Sequence, residues 1–245
     1  MQNIRLLIEY DGTNYHGWQY QPDLPTIQGT IQDVTKRITG SYLPLIGAGR
    51  TDAGVHATGQ VASFKDCSRL DTDSWRKALN SLLPADIAVL RVEVVPDDFH
   101  ARYSAKGKVY EYRIIDGGHI SSLRRNYTFQ LHDLLDINIM RKASLCFLGL
   151  HDFSAYSSSR YEDKKKNLCN LKAIKMKRSS GEIIITLEAD RFLHHMVRRI
   201  IGTLVEAGRG RIRPEDAAGI LRSRDPRMAV TNLPPQGLFL KRVLY

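Results

Sequence analysis

The pattern that most restricts this chain is a succession of elements that runs through it twice. Residues 4 to 10 read as a strand, and residues 26 to 39 as a helix with Thr26 as its N-cap and Ile27, Ile31, Val34 and Ile38 on one face. Short strands are expected at 43 to 48 and 59 to 65, then a helix at 73 to 83 stopped by Pro84, then a strand at 86 to 95 stopped by Pro96. The order β-α-β-β-α-β begins again with a strand at 107 to 115. A helix at 133 to 148, strands at 170 to 178 and 182 to 189, a helix at 192 to 207 and a strand at 237 to 244 complete it. No repeat is visible in the letters themselves, so the duplication is one of structure. Each round matches the ferredoxin-like plan of an antiparallel sheet with two helices on one face. The expectation is an α+β protein of two ferredoxin-like halves, residues 1–103 and 104–245, whose open sheet faces form a central cleft where a ligand would bind.

Composition sorts the functions open to such a fold. The 245 residues carry a net charge of +10, unevenly spread. Residues 1 to 100 hold 9 Lys/Arg against 12 Asp/Glu, whereas residues 101 to 245 hold 27 against 14. A basic second half favours a polyanionic partner, because clustered Lys and Arg displace counterions from phosphates. Cys67, Cys146 and Cys169 lie far apart with no C-x-x-C pair, which argues against a disulfide framework or a cysteine zinc site. Charges interrupt the first residues before any signal-peptide core forms, and no apolar run reaches membrane-spanning length. A cytoplasmic protein without membrane contact is expected.

Two basic features stand out in the second half. Residues 155 to 169 are too polar for a regular element and include Lys164, Lys165 and Lys166, which could grip phosphate. If the helix starts at 192, His194 with Arg198 and His195 with Arg199 stack at i, i+4, an arrangement disfavoured unless an anion lies nearby.

The chemistry concentrates between the second and third strands, in Gly47-Ala48-Gly49-Arg50-Thr51-Asp52-Ala53-Gly54-Val55-His56. Its glycines permit tight turns and close approach. In an extended stretch Arg50 and Asp52 project to the same side, and a guanidinium beside a carboxylate favours the ionised form that a nucleophile needs. Read as a bare Arg-x-Asp pair, the same residues could equally pin a turn.

At full length, Gly49-Arg50-Thr51-Asp52-Ala53-Gly54-Val55-His56 resembles the catalytic loop of the tRNA pseudouridine synthase A (TruA) family. Glu9 to Gln19 resembles that family's opening strand and loop, Thr26-Ile27-Gln28-Gly29 the start of its first helix, and Pro96 to Ala105 its interdomain segment. Lys108 to Ile114 resembles its Tyr-x-Tyr strand, Phe192 to Arg198 its second-domain helix, and Gly237 to Leu240 its last strand. The likeness covers nearly the whole chain in order.

The resemblance implies a homodimeric isomerase that turns uridine into pseudouridine at positions 38, 39 and 40 of the tRNA anticodon stem-loop, with no organic cofactor and no metal. It implies Asp52 as nucleophile, adding either to C6 of the base or to C1′ of the ribose. Tyr110 becomes the residue that stacks on the flipped base and a candidate base for the C5 proton, Leu238 the lining of the uracil pocket, and Arg50 a wedge and phosphate contact. His56, Arg198, Lys164, Lys165 and Lys166 are candidate RNA contacts. The chain departs from the family just before the strand at 170, where Leu168-Cys169-Asn170 stands in place of a basic residue. Two rival readings remain. A non-catalytic RNA-recognition module would carry an RNP string of aromatics, which is not found. A metal-dependent hydrolase could use Asp52, His56 and His194 or His195, but there is no H-E-x-x-H, and adjacent histidines on one helix would point apart.

Overall fold

A computed structural model describes residues 1–68, 70–118, 121–158, 167–229 and 231–245. The chain divides into two compact units, Met1–Lys106 with Phe239–Tyr245, and Gly107–Leu238. The change at Lys106/Gly107 falls close to the expected boundary after residue 103. The C-terminal strand, expected in the second half, is grouped with the first, because nothing in a sequence states which unit a strand rejoins after a long excursion.

In the first unit, β1 (Gln2–Tyr10), α1 (Ile27–Thr39), β2 (Ile46–Gly47), β3 (His56–Asp66), α2 (Thr72–Leu82) and β4 (Ile87–Val95) follow the expected order. β1 lies antiparallel between β4 and β3, and β2 pairs with the far edge of β3. Strand alternation sends Ile4, Leu6, Ile8 and Tyr10 of β1 into the core. Against them lie Ile27, Ile31 and Val34 of α1 and Trp75 and Leu79 of α2, all buried. Thr26 caps α1 by accepting from the Gly29 N–H, and Asp71 caps α2 by accepting from Ser74. β10 (Leu238–Leu244) joins β3 in parallel through Phe239↔His56 and Leu240↔Ala57. A register shift between Ile8 and Tyr10, opposite Ala57, sets where the Tyr10 side chain lands.

The second unit holds β5 (Gly107–Ile115), β6 (Phe129–Gln130), α3 (Ile137–Ser144), β7 (Gly149–Asp152), β8 (Leu168–Ser179), β9 (Glu182–Ala189), α4 (Met196–Gly208) and α5 (Pro214–Ser223). β9 pairs antiparallel with β5 and β8, and β7 pairs with β8. α3 begins later than the expected 133, because the Asp136 side chain takes the N–H groups of Asn138 and Ile139 and so starts the helix itself. α4 begins at 196 rather than 192, with His195 in the left-handed region at φ 64°. α5 was not expected. Among the described residues, no helix is long and apolar enough to cross a membrane.

One buried ion pair ties this unit together. The Asp116 side chain, fully buried after β5, accepts from both terminal nitrogens of Arg178 (2.5 and 2.9 Å) and from the Leu135 N–H (2.8 Å). Burial alone would raise the Asp116 carboxyl, but these donors outweigh it and hold it below the usual carboxylate range. A depressed folded value gives stability that is fully present above the unfolded pKa of about 3.9 and is lost as pH falls through the folded value. Asp116→Asn should therefore flatten the pH dependence of unfolding below about pH 4, and should cost about 2 kcal/mol at neutral pH, the half-exposed Arg178 limiting the loss. Urea titrations at a series of pH values measure both; parallel curves for the two proteins would refute the assignment.

Candidate active site

The loop between β2 and β3 is held from three sides. The Ala48 N–H donates to the Val61 carbonyl (2.8 Å), and the Gln60 side-chain amide donates to the Gly49 carbonyl (3.0 Å). The Thr51 carbonyl accepts from the Trp18 N–H (3.0 Å), while the Thr51 hydroxyl is paired with the buried Tyr10 hydroxyl at 2.8 Å. The Val55 N–H donates to the Asp52 carbonyl (3.1 Å), closing a turn whose Gly54 takes φ 76° and donates to the Tyr15 carbonyl (3.3 Å).

The segment 12–18 runs close under this loop, and its glycines are there because nothing larger fits. A Cβ on Gly12 would enter the Val55 carbonyl. Gly17, at φ 91°, would place one 2.5 Å from the Thr51 carbonyl oxygen. Trp18 and Tyr10, whose rings lie 6.1 Å apart, complete the floor. Burial pushes the Tyr10 hydroxyl up from its usual pKa, with the Thr51 and Gln60 hydrogen bonds opposing, so it stays a neutral phenol. Tyr10→Phe strips the Thr51 hydroxyl of its buried partner, with an expected loss of about 1–2 kcal/mol in urea unfolding. An unchanged midpoint would mean that something else holds Thr51.

With Thr51 turned inward, its neighbours turn outward: Arg50 is exposed and Asp52 half-buried. Alternation thus puts both on the outer side of the loop, as their spacing requires. The expected ion pair between them does not form. Arg50 makes no hydrogen bond or ion pair with any described residue, because an exposed pair gains little against the entropy of a long side chain.

His56, expected to meet RNA, is 1% exposed. Its Nδ1 accepts from the Gly12 N–H (3.1 Å), with Asp11 Oδ1 also 3.1 Å away, and its ring stacks on Phe239 at 4.8 Å. Asp11 Oδ1 also accepts from the Thr13 N–H and hydroxyl, so the same carboxylate lies against both the glycine segment and the His56 ring. His56 is a brace between the glycine segment, the Asp52 loop and β10.

In the second unit, Tyr110 lies on β5 opposite Leu187, 7% exposed, its ring edge-on to Phe192 at 5.1 Å. It shares its face with Tyr112 and Ile114, whose partners Ile185 and Ile183 are buried. The buried Tyr112 hydroxyl donates to the Pro234 carbonyl (2.7 Å), and Gly237 passes so close to the Tyr112 ring that a Cβ would sit 2.8 Å from it. Those contacts set the buried Leu238 at the start of β10.

The basic features of this unit are used differently from expectation. His194 and His195 precede α4, so neither stacks on Arg198 or Arg199 at helical spacing. Their rings do not point apart but lie 3.9 Å from each other, and His195 Nδ1 is 2.6 Å from the Ser158 hydroxyl. The left-handed turn at His195 brings them together, which removes the orientation argument against a metal. Arg198 donates through Nε to the Leu233 carbonyl (2.6 Å), and Arg199 to the Pro226 carbonyl (3.2 Å), holding the stretch after α5 against α4. Lys164, Lys165 and Lys166 lie outside the described residues.

Tyr10, Gly12, Gly17 and Trp18 carry no nucleophile or acid, and the sequence alone gives them no part in the site. Their signal was a glycine-spaced aromatic run, legible only once the Asp52 loop is seen resting on it.

Comparison with known proteins gives a consistent result. Residues 6–104 and 143–245 match the family model described as tRNA pseudouridine synthase. Proteins named tRNA pseudouridine synthase A are similar over their whole length: 42% identical over 245 residues in Thermoanaerobacter sp. (strain X514) and 44% over 245 residues in Acetivibrio thermocellus, with 100% of both chains covered. A Clostridium tetani protein named tRNA pseudouridine synthase A 2 is 42% identical over 246 residues, covering 100% of this chain and 99% of its own. A solved chain of a Cbf5-Nop10-Gar1 complex aligns with 82% of this chain and 54% of its own at 14% identity and a TM-score of 0.32, too slight a likeness to support an argument.

Proposed function

The chain belongs to the tRNA pseudouridine synthase family, and on that premise we propose that it isomerises uridine to pseudouridine in tRNA, at positions 38, 39 and 40 of the anticodon stem-loop, with Asp52 as nucleophile. The observation that carries the reading is the Asp52 carboxylate, half-buried on a loop whose backbone is held by Tyr15, Trp18 and Gln60 and whose Thr51 hydroxyl is held by Tyr10. A group that must attack one carbon of a bound nucleotide needs this kind of preorganisation. The full-length relatives supply the reaction; the loop motif supplies the residue.

The isomerisation is redox-neutral. The C1′–N1 bond breaks, a C1′–C5 bond forms, and the proton lost from C5 is balanced by one gained at N1. Asp52 holds one fragment covalently while uracil turns, by addition to C6 or to C1′, and leaves unchanged. A stacked uridine exposes neither carbon, so the nucleotide is extruded from its stem-loop first. Arg50, exposed beside the nucleophile, fills the vacated space or meets a phosphate. Tyr110 stacks on the extruded base and receives the C5 proton, and Leu238 lines the uracil pocket. Arg198, Lys164, Lys165 and Lys166 contact the RNA backbone, and the working form is a homodimer in the cytoplasm that needs no cofactor.

Incubating the purified chain with an unmodified tRNA transcript, with and without excess chelator, and mapping pseudouridine by nucleotide tests this. Product at 38, 39 or 40 in both samples is expected. Product elsewhere in the tRNA would displace the anticodon assignment, and chelator-sensitive activity would displace the metal-free one.

A further inference from the structure

The segment 96–104 takes no part in the chemistry above, yet it is built with care. Ala101 is fully buried; its N–H donates to the Ser63 hydroxyl (3.3 Å) and its carbonyl accepts from the Tyr245 hydroxyl (2.8 Å). Phe99 rests on the Tyr245 ring at 5.0 Å with the Arg5 guanidinium 5.6 Å from its centre. The Asn3 side chain donates to the carbonyls of Pro96 and Phe99, both at 2.8 Å.

Above this anchor the chain turns and offers Tyr103 to solvent, 78% exposed. The His100 ring lies 4.3 Å from it at 32°, and the Arg102 guanidinium carbon is 5.8 Å from its centre. His100 is fixed in turn. Its Nδ1 accepts from the N–H groups of Arg102 and Tyr103, both at 3.1 Å, and its own N–H donates to the Ser104 hydroxyl at 3.0 Å.

A ring so exposed adds little to folding, and the turn beneath it has already met the entropy cost of holding it still. An accessible aromatic face with a guanidinium beside it suits a nucleobase and its adjoining phosphate, since every base has a π-face and Arg meets phosphate in bidentate fashion. Of the two acids that precede the turn, Asp97 and Asp98, the first is paired with Lys65 at 3.1 Å, which reduces its repulsion of an anion. Resting on the reading of the chain as a tRNA-modifying enzyme, we infer that the His100–Tyr103 turn is a second RNA-binding site, which stacks an unpaired base on Tyr103 and holds its phosphate with Arg102. Ala101 is tied to Ser63, and Ser63 and His56 lie toward opposite ends of β3, roughly 20 Å apart at about 3.3 Å per residue. The base held here is therefore not the uridine attacked by Asp52.

The test uses the full chain and an unmodified tRNA transcript, with Kd measured by filter binding at fixed salt. Tyr103→Ala should bind about ten-fold more weakly, and Tyr103→Phe, which keeps the π-face, within about two-fold of wild type. Arg102→Gln should bind several-fold more weakly with a shallower salt dependence. In the rate assay the loss in Tyr103→Ala should fall on KM rather than kcat. Wild-type affinity in Tyr103→Ala would overturn the proposal, as would Tyr103→Phe being as weak as Tyr103→Ala. A Tyr103→Ala protein whose assembly mass drops in light scattering while each assembled molecule binds tRNA normally would show that the turn meets another copy of the chain instead, and would also overturn it. The two readings fail separately: a wild-type protein that makes no pseudouridine but outbinds Tyr103→Ala removes the synthase reading alone, and an active one matched in affinity by Tyr103→Ala removes only this site.

Discussion

Asp52→Asn should lower the single-turnover rate of pseudouridine formation by a factor on the order of 10⁴ or more, in line with removal of a catalytic nucleophile, while leaving tRNA affinity within about three-fold. The substitution is nearly isosteric and keeps the Asp52 carbonyl, which accepts from the Val55 N–H and closes the turn. What changes is one oxygen to an amide nitrogen, and an amide cannot form the ester that holds the fragment. The prediction also separates the catalytic reading from the rival of a non-catalytic RNA-binding module, in which position 52 would be a turn residue and wild-type protein would yield no product. An Asp52→Asn enzyme within ten-fold of wild type would end the nucleophile assignment, whatever its affinity for tRNA.

The expected elements that survived were those whose signals are local. The α1 N-cap at Thr26, the α2 stop before Pro84 and the strand at 107–115 depend on neighbours a few residues away, and each is where the pattern placed it. α5 had equally local marks, Pro214 at its first position and the Asp216 carboxylate accepting from the Arg213 N–H. The site residues divide along the same line. Asp52 and Arg50 sit on the outer side of their loop as alternation demands, whereas the fate of His56 turns on Gly12 and Phe239, residues distant in sequence. Arg199 shows the limit most clearly: an arginine that caps a backbone carbonyl and one that grips phosphate present the same letter at the same spacing. His194 and His195 were misplaced by a single backbone angle, the left-handed φ at His195, which a non-glycine residue seldom adopts and no pattern announces.

Gly17→Ala should cost about 100-fold in the same rate while the chain still folds, and the comparison with Gly40→Ala shows why. Both glycines have positive φ, 91° and 72°, so alanine is strained at each, by roughly 1–2 kcal/mol. Around Gly40 a Cβ would meet nothing within 4 Å, so the strain at this α1 cap is the whole effect. At Gly17 the added carbon would lie 2.5 Å from the Thr51 carbonyl oxygen and 3.1 Å from the Asp52 carbonyl carbon, both backbone atoms that no side-chain rotation can clear. The loop must retreat, pulling Thr51 from the Trp18 N–H and carrying Asp52 with it. A displacement near 1 Å in a reacting group is enough for a loss of about 100-fold. The melting temperature of Gly17→Ala should fall further than that of Gly40→Ala, which carries the strain alone, and at temperatures where both are folded only Gly17→Ala should lose activity. Equal activities under those conditions would mean that the loop position is not set by the segment beneath it, and the preorganised carboxylate on which the mechanism depends would lose its support.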